Sequence, residues 1–238
     1  MALYRDQGIV LRSIKLGETD RIVTVLTQGH GKVRAVAKGV RRPGSRFGAR
    51  LEPTTHLAFQ CYRGRELDVI TQVETIDANR ALREHYGCLT HAISMLEATD
   101  QVAQEREVNV ALYRMLAGAL RTLAAAPNPL VSGAFFWKLL SLEGFHPLLD
   151  ECARCGAADT RFVAFDLHDG GVLCETCGRL GGRRIDAATL ALVRRILGGD
   201  LRTALAEPPG PAGTEAERLA LAALEHHLER RLRSAALL

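Results

Sequence analysis

Four cysteines in the second half of the chain have the spacing of a metal site. They form two pairs, each with a two-residue gap, and 18 residues separate the pairs: Cys152, Cys155, Cys174 and Cys177. Two such knuckles can place four thiolates around one ion as a tetrahedron, which is typical of structural zinc. Gly156 and Gly178 follow the second cysteine of each pair, where a tight turn favours a positive φ. The sequence therefore predicts one structural Zn²⁺ per chain, with no open coordination position for catalysis.

The residues between the two pairs are typical of a small hairpin. Residues 162–167 and 171–173 are strand-like, and Asp169-Gly170 supplies a turn between them. This arrangement predicts a zinc ribbon. Two alternative uses of the cysteines fit less well, because a thioredoxin-like redox site needs one pair in a βαβ context and an iron–sulfur cluster does not usually have this layout.

Basic residues are concentrated near the start of the chain. Residues 1–80 hold 14 Lys and Arg against 8 Asp and Glu, a charge of +6, whereas the remainder holds 17 against 19, a charge of −2. Residues 32–50 contain seven cations and no acid: Lys32, Arg34, Lys38, Arg41, Arg42, Arg46 and Arg50. Such a cluster is typical of a surface that binds a polyanion.

The same N-terminal part has the pattern of a β-structure. Five runs rich in β-branched and apolar residues follow one another without a convincing helix between them: 8–15, 21–27, 32–38, 56–62 and 67–76. In the third run basic and apolar residues alternate, which places the cations on one face. A closed barrel buries such strands without open edges, and a basic five-stranded barrel favours the OB type, which binds oligonucleotides. An SH3-like barrel and a merely solvated basic loop are the alternatives.

Aromatic residues that could stack on bases are scarce in this part of the chain. Phe47 lies inside the basic segment and is the predicted stacking residue. Phe59 and Tyr62 are instead expected to pack in or on a strand.

The rest of the chain has helical patterns on either side of the ribbon. Apolar residues recur at helical spacing over 82–96 and 112–123, and 130–142 is apolar nearly all round, which predicts a central buried helix. The expected architecture is therefore α+β, with an OB domain over 1–80 and a helical domain over 81–238 into which the ribbon is inserted at 150–180.

Two further helices have recognisable start signals. Asp186 is placed to cap a helix that runs to Leu197. Thr214 and Glu217 have the spacing of a capping box, which predicts a last helix toward Arg233.

No catalytic constellation accompanies these elements. The chain has no P-loop, no GxGxxG after a strand, no HExxH and no GxSxG, and its carboxylates are too scattered for a two-metal nuclease. Arg194 and Arg195 form a basic pair after the ribbon and are a possible additional phosphate contact, or simply a solvated face. His226 and His227 are adjacent on a helix and point to different faces, which argues against a shared metal site. We expect a protein that is not an enzyme.

The chain ends and the apolar runs indicate a cytoplasmic protein. Charged residues stand where a signal peptide needs its apolar stretch, and no run of 18 apolar residues occurs. Thiols stay reduced in the cytosol, so the cysteines are expected to be ligands or core residues. Cys61 and Cys88 stand alone and are expected in the core.

The longer motifs resemble those of RecO, the bacterial recombination mediator family. The resemblance lies in DQGIVLRSIKLGETDRIVTVLT, GKVRAVAKGVRRPGSRFGARLEP and FFWKLLSLEGFHPLLDECARCG. It covers nearly the whole chain and is strongest over 4–80 and 135–178. Some members of that family lack the cysteines, whereas this chain has all four.

The resemblance implies a DNA repair and recombination protein of the RecF pathway, associated with the nucleoid. It implies binding to single- and double-stranded DNA and annealing of complementary strands. It also implies partnership with RecR and with the C-terminal tail of single-strand-binding protein, so that RecA is loaded onto coated strands. The basic residues of segment 32–50 and Phe47 are then the expected DNA contacts. A transcription or RNA-binding factor with a zinc ribbon and an OB barrel, and a nuclease with a dispersed site, are the rival functions.

Overall fold

The computed structural model describes residues 2–45 and 47–237. Arg46, one of the predicted DNA contacts, lies outside the described residues. The described chain divides into two compact units, residues 2–127 and residues 128–236. Among the described residues no helix combines the length and the apolar character that a membrane crossing requires.

The first unit contains a closed five-stranded barrel. Its strands are β1 (Leu3–Leu16), β2 (Asp20–Thr27), β3 (Lys32–Ala37), β4 (His56–Tyr62) and β5 (Asp68–Asp77), joined in the order β1-β2-β3-β5-β4. The neighbours are antiparallel except for β3 and β5, which are parallel. This order confirms the predicted OB-type barrel, with β1 long enough to pair with both β2 and β4.

The interior of the barrel follows the period-two pattern of the strands. Val33, Ala35 and Ala37 of β3 are buried in the barrel core, whereas Lys32 and Arg34 lie on the outer side. The core is completed by residues from the other strands and from a short 3₁₀ turn at Gly48–Leu51. The alternation in the sequence therefore located the core face of β3.

The parallel pairing of β3 with β5 is short and is reinforced by polar contacts. The register joins Ala35 to Asp68 and Val36 to Val69. At the beginning of β3, Lys32 pairs with the segment after α2 instead, since the Lys32 amide donates to the Gln104 carbonyl and the Arg106 amide donates to the Lys32 carbonyl. A chain segment outside the five strands thus extends the seam of the barrel.

Asp68 is a fully buried carboxylate at this seam. The Arg106 guanidinium donates to its two oxygens at 3.0 and 2.8 Å, and the Gly64 amide donates at 2.9 Å. The Tyr4 hydroxyl, on β1, donates to it as well. Burial alone would raise the pKa of Asp68, but the hydrogen bonds from Arg106, Tyr4 and Gly64 outweigh it, so this pKa lies below its ordinary value.

Three helices complete the first unit: α1 (Arg80–Glu84), α2 (Tyr86–Val102) and α3 (Val110–Ala125). The predicted continuous helix over 82–96 is wrong, because His85 is extended at φ −117° and separates α1 from α2. Tyr86, expected on the buried face, is 72% exposed. The face that is buried instead contains Ser94 and Thr99. Their hydroxyls donate hydrogen bonds to backbone carbonyls one turn earlier, so they are buried without losing a hydrogen-bond partner.

Helix α3 matches its predicted pattern. Its apolar positions Leu112, Leu116, Leu120 and Leu123 are all buried. Asn109 caps the helix, since its side chain accepts a hydrogen bond from the Leu112 amide at 2.9 Å.

The second unit is built on two helices in close contact. These are α4 (Leu130–Leu142) and α8 (Pro211–His227). A Cβ on Gly133 would lie 2.9 Å from the Glu217 Cα, so glycine permits the approach. Trp137 is fully buried and its indole N–H donates to the Ala216 carbonyl at 3.1 Å. The prediction of a central buried helix over 130–142 is confirmed.

The remaining helices of this unit are α5 (Glu175–Gly178), α6 (Ala187–Leu197) and α7 (Leu201–Ala206). Asp186 caps α6 as predicted, because its carboxylate accepts from the Thr189 amide. The predicted capping box is wrong: α8 already begins at Pro211, and the buried Glu217 accepts a hydrogen bond from Ser132 of α4. That packing role needs a partner far away in the sequence, so the local spacing was misleading.

Replacing Arg106 tests how much the barrel depends on its buried ion pair. Arg106→Ala leaves the Asp68 carboxylate buried without its cation, so we expect the free energy of unfolding to fall by about 3 kcal/mol. Urea denaturation measures it. Glu215→Ala, which breaks the more exposed Arg218–Glu215 pair on α8, is the control and should change stability by less than about 1 kcal/mol. Equal stability of Arg106→Ala and wild type would contradict the assigned role.

The pH dependence of this difference follows from the lowered pKa of Asp68. A carboxyl whose pKa is lower in the folded state stabilises the fold above its unfolded value of about 4, and this contribution is lost as the pH falls through the folded pKa. The difference in the free energy of unfolding between wild type and Arg106→Ala should therefore be largest at neutral pH and should decrease below about pH 4. Urea titrations across that range measure the difference, and one independent of pH would contradict the assignment.

Candidate metal centre and nucleic-acid interface

The four paired cysteines lie beside a small three-stranded sheet. Strands β6 (Phe162–Asp166), β7 (Gly171–Cys174) and β8 (Arg183–Arg184) pair in the order β7-β6-β8. The predicted hairpin is present, and Gly170 in its turn has φ +68°. One cysteine pair precedes β6, and the other spans the end of β7 and the short helix α5.

The fold brings the four sulfur atoms together. Their Sγ atoms all lie within 4.8 Å of one another, and those of Cys155 and Cys174 are 3.8 Å apart. A tetrahedral ion with metal–sulfur bonds of about 2.3 Å holds its sulfurs about 3.8 Å apart. Cys152, Cys174 and Cys177 are buried, and Cys155 is exposed. The cluster can therefore hold a metal ion, and soft thiolate donors suit zinc.

Backbone amides around the cluster favour a thiolate at Cys152. Burial disfavours its charged form, but amides of Cys174, Cys155 and Arg154 point at the sulfur and lower the pKa of Cys152 to about 6. Burial, together with the neighbouring thiols, raises the pKa of Cys177 to about 12. The pKa values of Cys152 and Cys177 are therefore shifted in opposite directions.

The two glycines beside the knuckles have different roles. Gly156 has φ +72°, as predicted for the turn of a knuckle. Gly178 ends α5 without a positive φ, so that prediction is wrong. A Cβ at Gly178 would lie 2.8 Å from a methyl group of Val163, which explains glycine by close packing instead.

A charged network braces the first knuckle against the hairpin. Arg154, between the first two cysteines, donates to Asp169 at 2.9 Å and to Asp166 at 3.1 Å, and also to the Cys177 carbonyl at 3.4 Å. One guanidinium therefore connects both cysteine pairs and the hairpin turn.

The basic segment 32–50 divides into paired and exposed cations. The Lys32 ammonium is 3.3 Å from the Asp100 carboxylate and donates to the Asp100 carbonyl, and the Arg34 guanidinium is 3.7 Å from Glu105. Only 14% of the Lys32 side chain is exposed, against 40% for Arg34. Lys32 is therefore occupied in the fold and is a poor phosphate ligand, which corrects its predicted role.

The exposed cations of this segment gather at the β1–β2 turn. Lys38, Arg41 and Arg42 are exposed. The Arg41 amide donates to the Thr19 carbonyl at 2.9 Å, and its guanidinium donates to the Glu18 carbonyl at 2.8 Å. The loop after β3 is thereby held against the turn.

Asp20 fixes the other side of this loop. Its carboxylate accepts a hydrogen bond from the Gly39 amide at 2.8 Å. That bond and one from Thr19 lower the pKa of Asp20, and the charges of Arg42 and Lys38 lower it further. Lys38 and Arg42 therefore lie close enough to the Asp20 carboxylate to stabilise its charged form.

Lys15 belongs to the same end of the barrel and was missed in the sequence. It is exposed on β1 opposite Arg21, which is itself opposite Ala37 at the end of β3. The strand register brings Lys15 to the loop of Lys38 although 22 positions separate them. Arg50 is exposed within the 3₁₀ turn Gly48–Leu51.

Phe47 does not lie on this surface. Only 2% of it is exposed, and it packs in the barrel core with Leu51, Phe59 and Ile70. The predicted stacking role is therefore wrong. A chain segment that is basic in sequence can still supply apolar side chains to the barrel core.

Arg194 and Arg195 are bound to carboxylates. Arg194 is 3.0 Å from Asp150, and Arg195 contacts Asp200 and Glu207 at 3.0 and 2.8 Å. The hydrogen bonds that Arg195 donates to Glu207 and Asp200 raise the pKa of its guanidinium. Both side chains thus hold helix α6 to its surroundings, which favours a structural role over the additional DNA contact.

The two cysteines outside the cluster agree with their prediction as core residues. Cys61 is fully buried in the barrel core and Cys88 is 6% exposed; burial raises the pKa of both thiols. The His227 ring lies 3.5 Å from the Phe145 ring and the His226 ring 6.5 Å from the His168 ring, between centroids. Both histidines line one cavity with these two rings, so the prediction that they point to different faces is not supported.

Comparisons with known proteins agree with this arrangement. Two family models match the chain: "Recombination protein O N terminal" over residues 1–79 and "Recombination protein O C terminal" over residues 83–236. The predicted boundary after residue 80 falls between the two matched ranges.

Two curated relatives are similar over almost their whole length. The DNA repair protein RecO of Thermobifida fusca is 44% identical in an alignment that covers 98% of this chain and 97% of that protein. The DNA repair protein RecO of a Nocardioides species is also 44% identical, with 98% of each chain covered. The chain therefore belongs to the RecO family of DNA repair and recombination proteins.

Proposed function

We propose that this protein binds single- and double-stranded DNA through its barrel and anneals complementary strands. The observation that carries the proposal is the group of exposed cations at the β1–β2 turn, on an OB-type barrel, in a chain of the RecO family. The group consists of Lys15, Lys38, Arg41 and Arg42, and we call it the barrel basic surface. Family membership favours DNA over the transcription or RNA-binding alternative.

Annealing by such a surface requires charge and no chemical step. Lysine and arginine side chains neutralise phosphates and release counterions, which gives affinity that is independent of sequence and strongly dependent on salt. Once repulsion between two strands is reduced, base pairing supplies the free energy. We therefore propose that the protein is not an enzyme.

Family membership supports a proposal about the partners. We propose that the protein acts with RecR and with the C-terminal tail of single-strand-binding protein, and so helps RecA replace that protein on DNA in the RecF pathway. A tail that is acidic and ends in apolar residues would be recognised by a basic groove with apolar walls.

We propose that the cysteine cluster holds one structural Zn²⁺. The closely grouped thiols and the amides directed at Cys152 support this assignment. All four donors come from the protein, so the ion would stabilise the ribbon and leave no position for a reacting water. A closed site of this kind contributes to folding because the donors converge only in the folded chain.

The salt dependence of DNA binding tests the barrel basic surface. Lys38→Ala/Arg41→Ala/Arg42→Ala removes up to three phosphate contacts, so the slope of log K against log salt for a single-stranded oligonucleotide should fall by about 2. Fluorescence anisotropy at several salt concentrations measures the slope.

Lys32→Gln is the matched control for this experiment. It also removes a cation of segment 32–50, but one that is directed at Asp100. We expect the slope to stay at the wild-type value in this variant. A triple variant with the wild-type slope, or a large effect of Lys32→Gln alone, would refute the assigned surface.

Annealing and cleavage assays separate the proposed function from its rivals. Wild type should accelerate pairing of complementary DNA oligonucleotides, and the triple variant should do so less. No cleavage product is expected with DNA and Mg²⁺ or Mn²⁺. Preference for RNA in competition would favour the transcription or RNA-binding alternative, and cleavage would favour a nuclease.

Metal analysis tests the ribbon. Purified protein should contain one zinc per chain, and Cys152→Ser/Cys155→Ser should lose it, whereas the buried but separate Cys88→Ala should keep it. Removal by a chelator should lower Tm, since a ligand present at a thousandfold excess over its Kd stabilises the fold by about 4 kcal/mol. A chain that is free of zinc and has an unchanged Tm would overturn the proposal.

A further inference from the structure

The loop between β4 and β5, residues 63–67, is held in one shape by the interior of the barrel. The Gly64 amide donates to the buried Asp68 carboxylate at 2.9 Å, and the Arg63 amide donates to the Ala2 carbonyl at 2.8 Å. A Cβ at Gly64 would lie 1.8 Å from the Leu67 carbonyl oxygen, so only glycine fits this turn. The loop is therefore preorganised.

This rigid loop presents an aromatic ring and two cations to solvent. Tyr62, the last residue of β4, is 42% exposed, and Arg63 and Arg65 are exposed. Within residues 2–45 and 47–237, no carboxylate forms an ion pair with either guanidinium. Glu66 is the acid of the loop and is also exposed, so the loop keeps a net positive charge.

The loop lies beside the strand that carries part of the basic segment. Asp68, which follows the loop, is opposite Ala35 of β3. Its neighbour Arg34 is on the outer side of that strand and is 40% exposed. In OB-type barrels the β1–β2 and β4–β5 loops flank the face that binds oligonucleotides. The barrel basic surface is at the first of these loops, and Tyr62 is at the second.

We propose that Tyr62 stacks on a base of single-stranded DNA while Arg63 and Arg65 hold neighbouring phosphates. The inference rests on the proposed DNA binding. It assigns to Tyr62 the stacking role that the buried Phe47 cannot have. An exposed ring at the end of a strand can accept any base without sequence preference. Guanidinium groups on a fixed loop match phosphate oxygens at little cost in entropy.

The experiment compares a deoxythymidine oligonucleotide with an abasic strand of the same length and charge. Tyr62→Ala should weaken binding of the normal strand about tenfold, because stacking on an aromatic residue is lost. The same variant should bind the abasic strand as wild type does, since that strand has phosphates but no bases. Tyr62→Phe keeps the ring and should stay within about twofold of wild type on both strands.

Tyr86→Ala is the matched control, because Tyr86 is an exposed tyrosine of the same unit that lies on α2 and belongs to neither the β1–β2 nor the β4–β5 loop. It should leave both affinities unchanged. Arg63→Ala/Arg65→Ala should lower the salt slope by about 1.4 with either strand, as expected for two phosphate contacts. Circular dichroism and Tm confirm that each variant is folded, and Tyr62→Leu replaces Tyr62→Ala if the latter is destabilised.

The outcomes separate this inference from the proposed function. If wild type does not bind DNA, both are overturned. If wild type binds and the barrel basic surface variant is impaired, but Tyr62→Ala matches wild type on the normal strand, the stacking role alone is refuted. Equal weakening on normal and abasic strands also refutes stacking, because the ring would then act through the fold.

Discussion

The barrel depends on one buried negative charge. Asp68 has no access to solvent, yet it accepts hydrogen bonds from β1, from the β4–β5 loop and from the segment after α2. A buried carboxylate is tolerated only when its oxygens are fully satisfied and a cation lies beside it. Meeting this requirement fixes Tyr4, Gly64 and Arg106 relative to one another. The same hydrogen bonds also stabilise the junction of β3 and β5, which pair in parallel over only a short stretch.

In the second unit the cluster of four cysteine sulfurs plays a comparable part, because distant segments meet there. The cysteine pairs come from segments on either side of a hairpin, and Arg154 connects them through charged hydrogen bonds. In both units a polar group that is costly to bury is placed where distant segments meet, and its partners determine their arrangement. The apolar cores of β-strands and helices supply most of the burial, while these groups select the way the segments join.

Local patterns in the sequence were sufficient where the determining partner is nearby. The alternation in β3 located its core face, the CxxC spacing predicted the cluster of sulfurs, and Asp186 predicted a cap three residues away. Local patterns were insufficient where a contact with a distant segment determines the role of a side chain. Lys32 looked like a free cation until Asp100 came beside it, and Glu217 looked like a capping residue although it bonds to Ser132. Phe47 stands among cations in the sequence and is nevertheless apolar core.

Because Lys32 pairs with the segment around Glu105, the barrel needs residues beyond its five strands to be complete. A fragment that ended near residue 80 would contain all five strands but would leave the beginning of β3 as an open edge and Asp68 without its guanidinium. Open strand edges recruit other chains. The smallest piece able to fold alone and stay monomeric should therefore extend past Arg106, so the unit of autonomous folding is longer than the N-terminal match of residues 1–79.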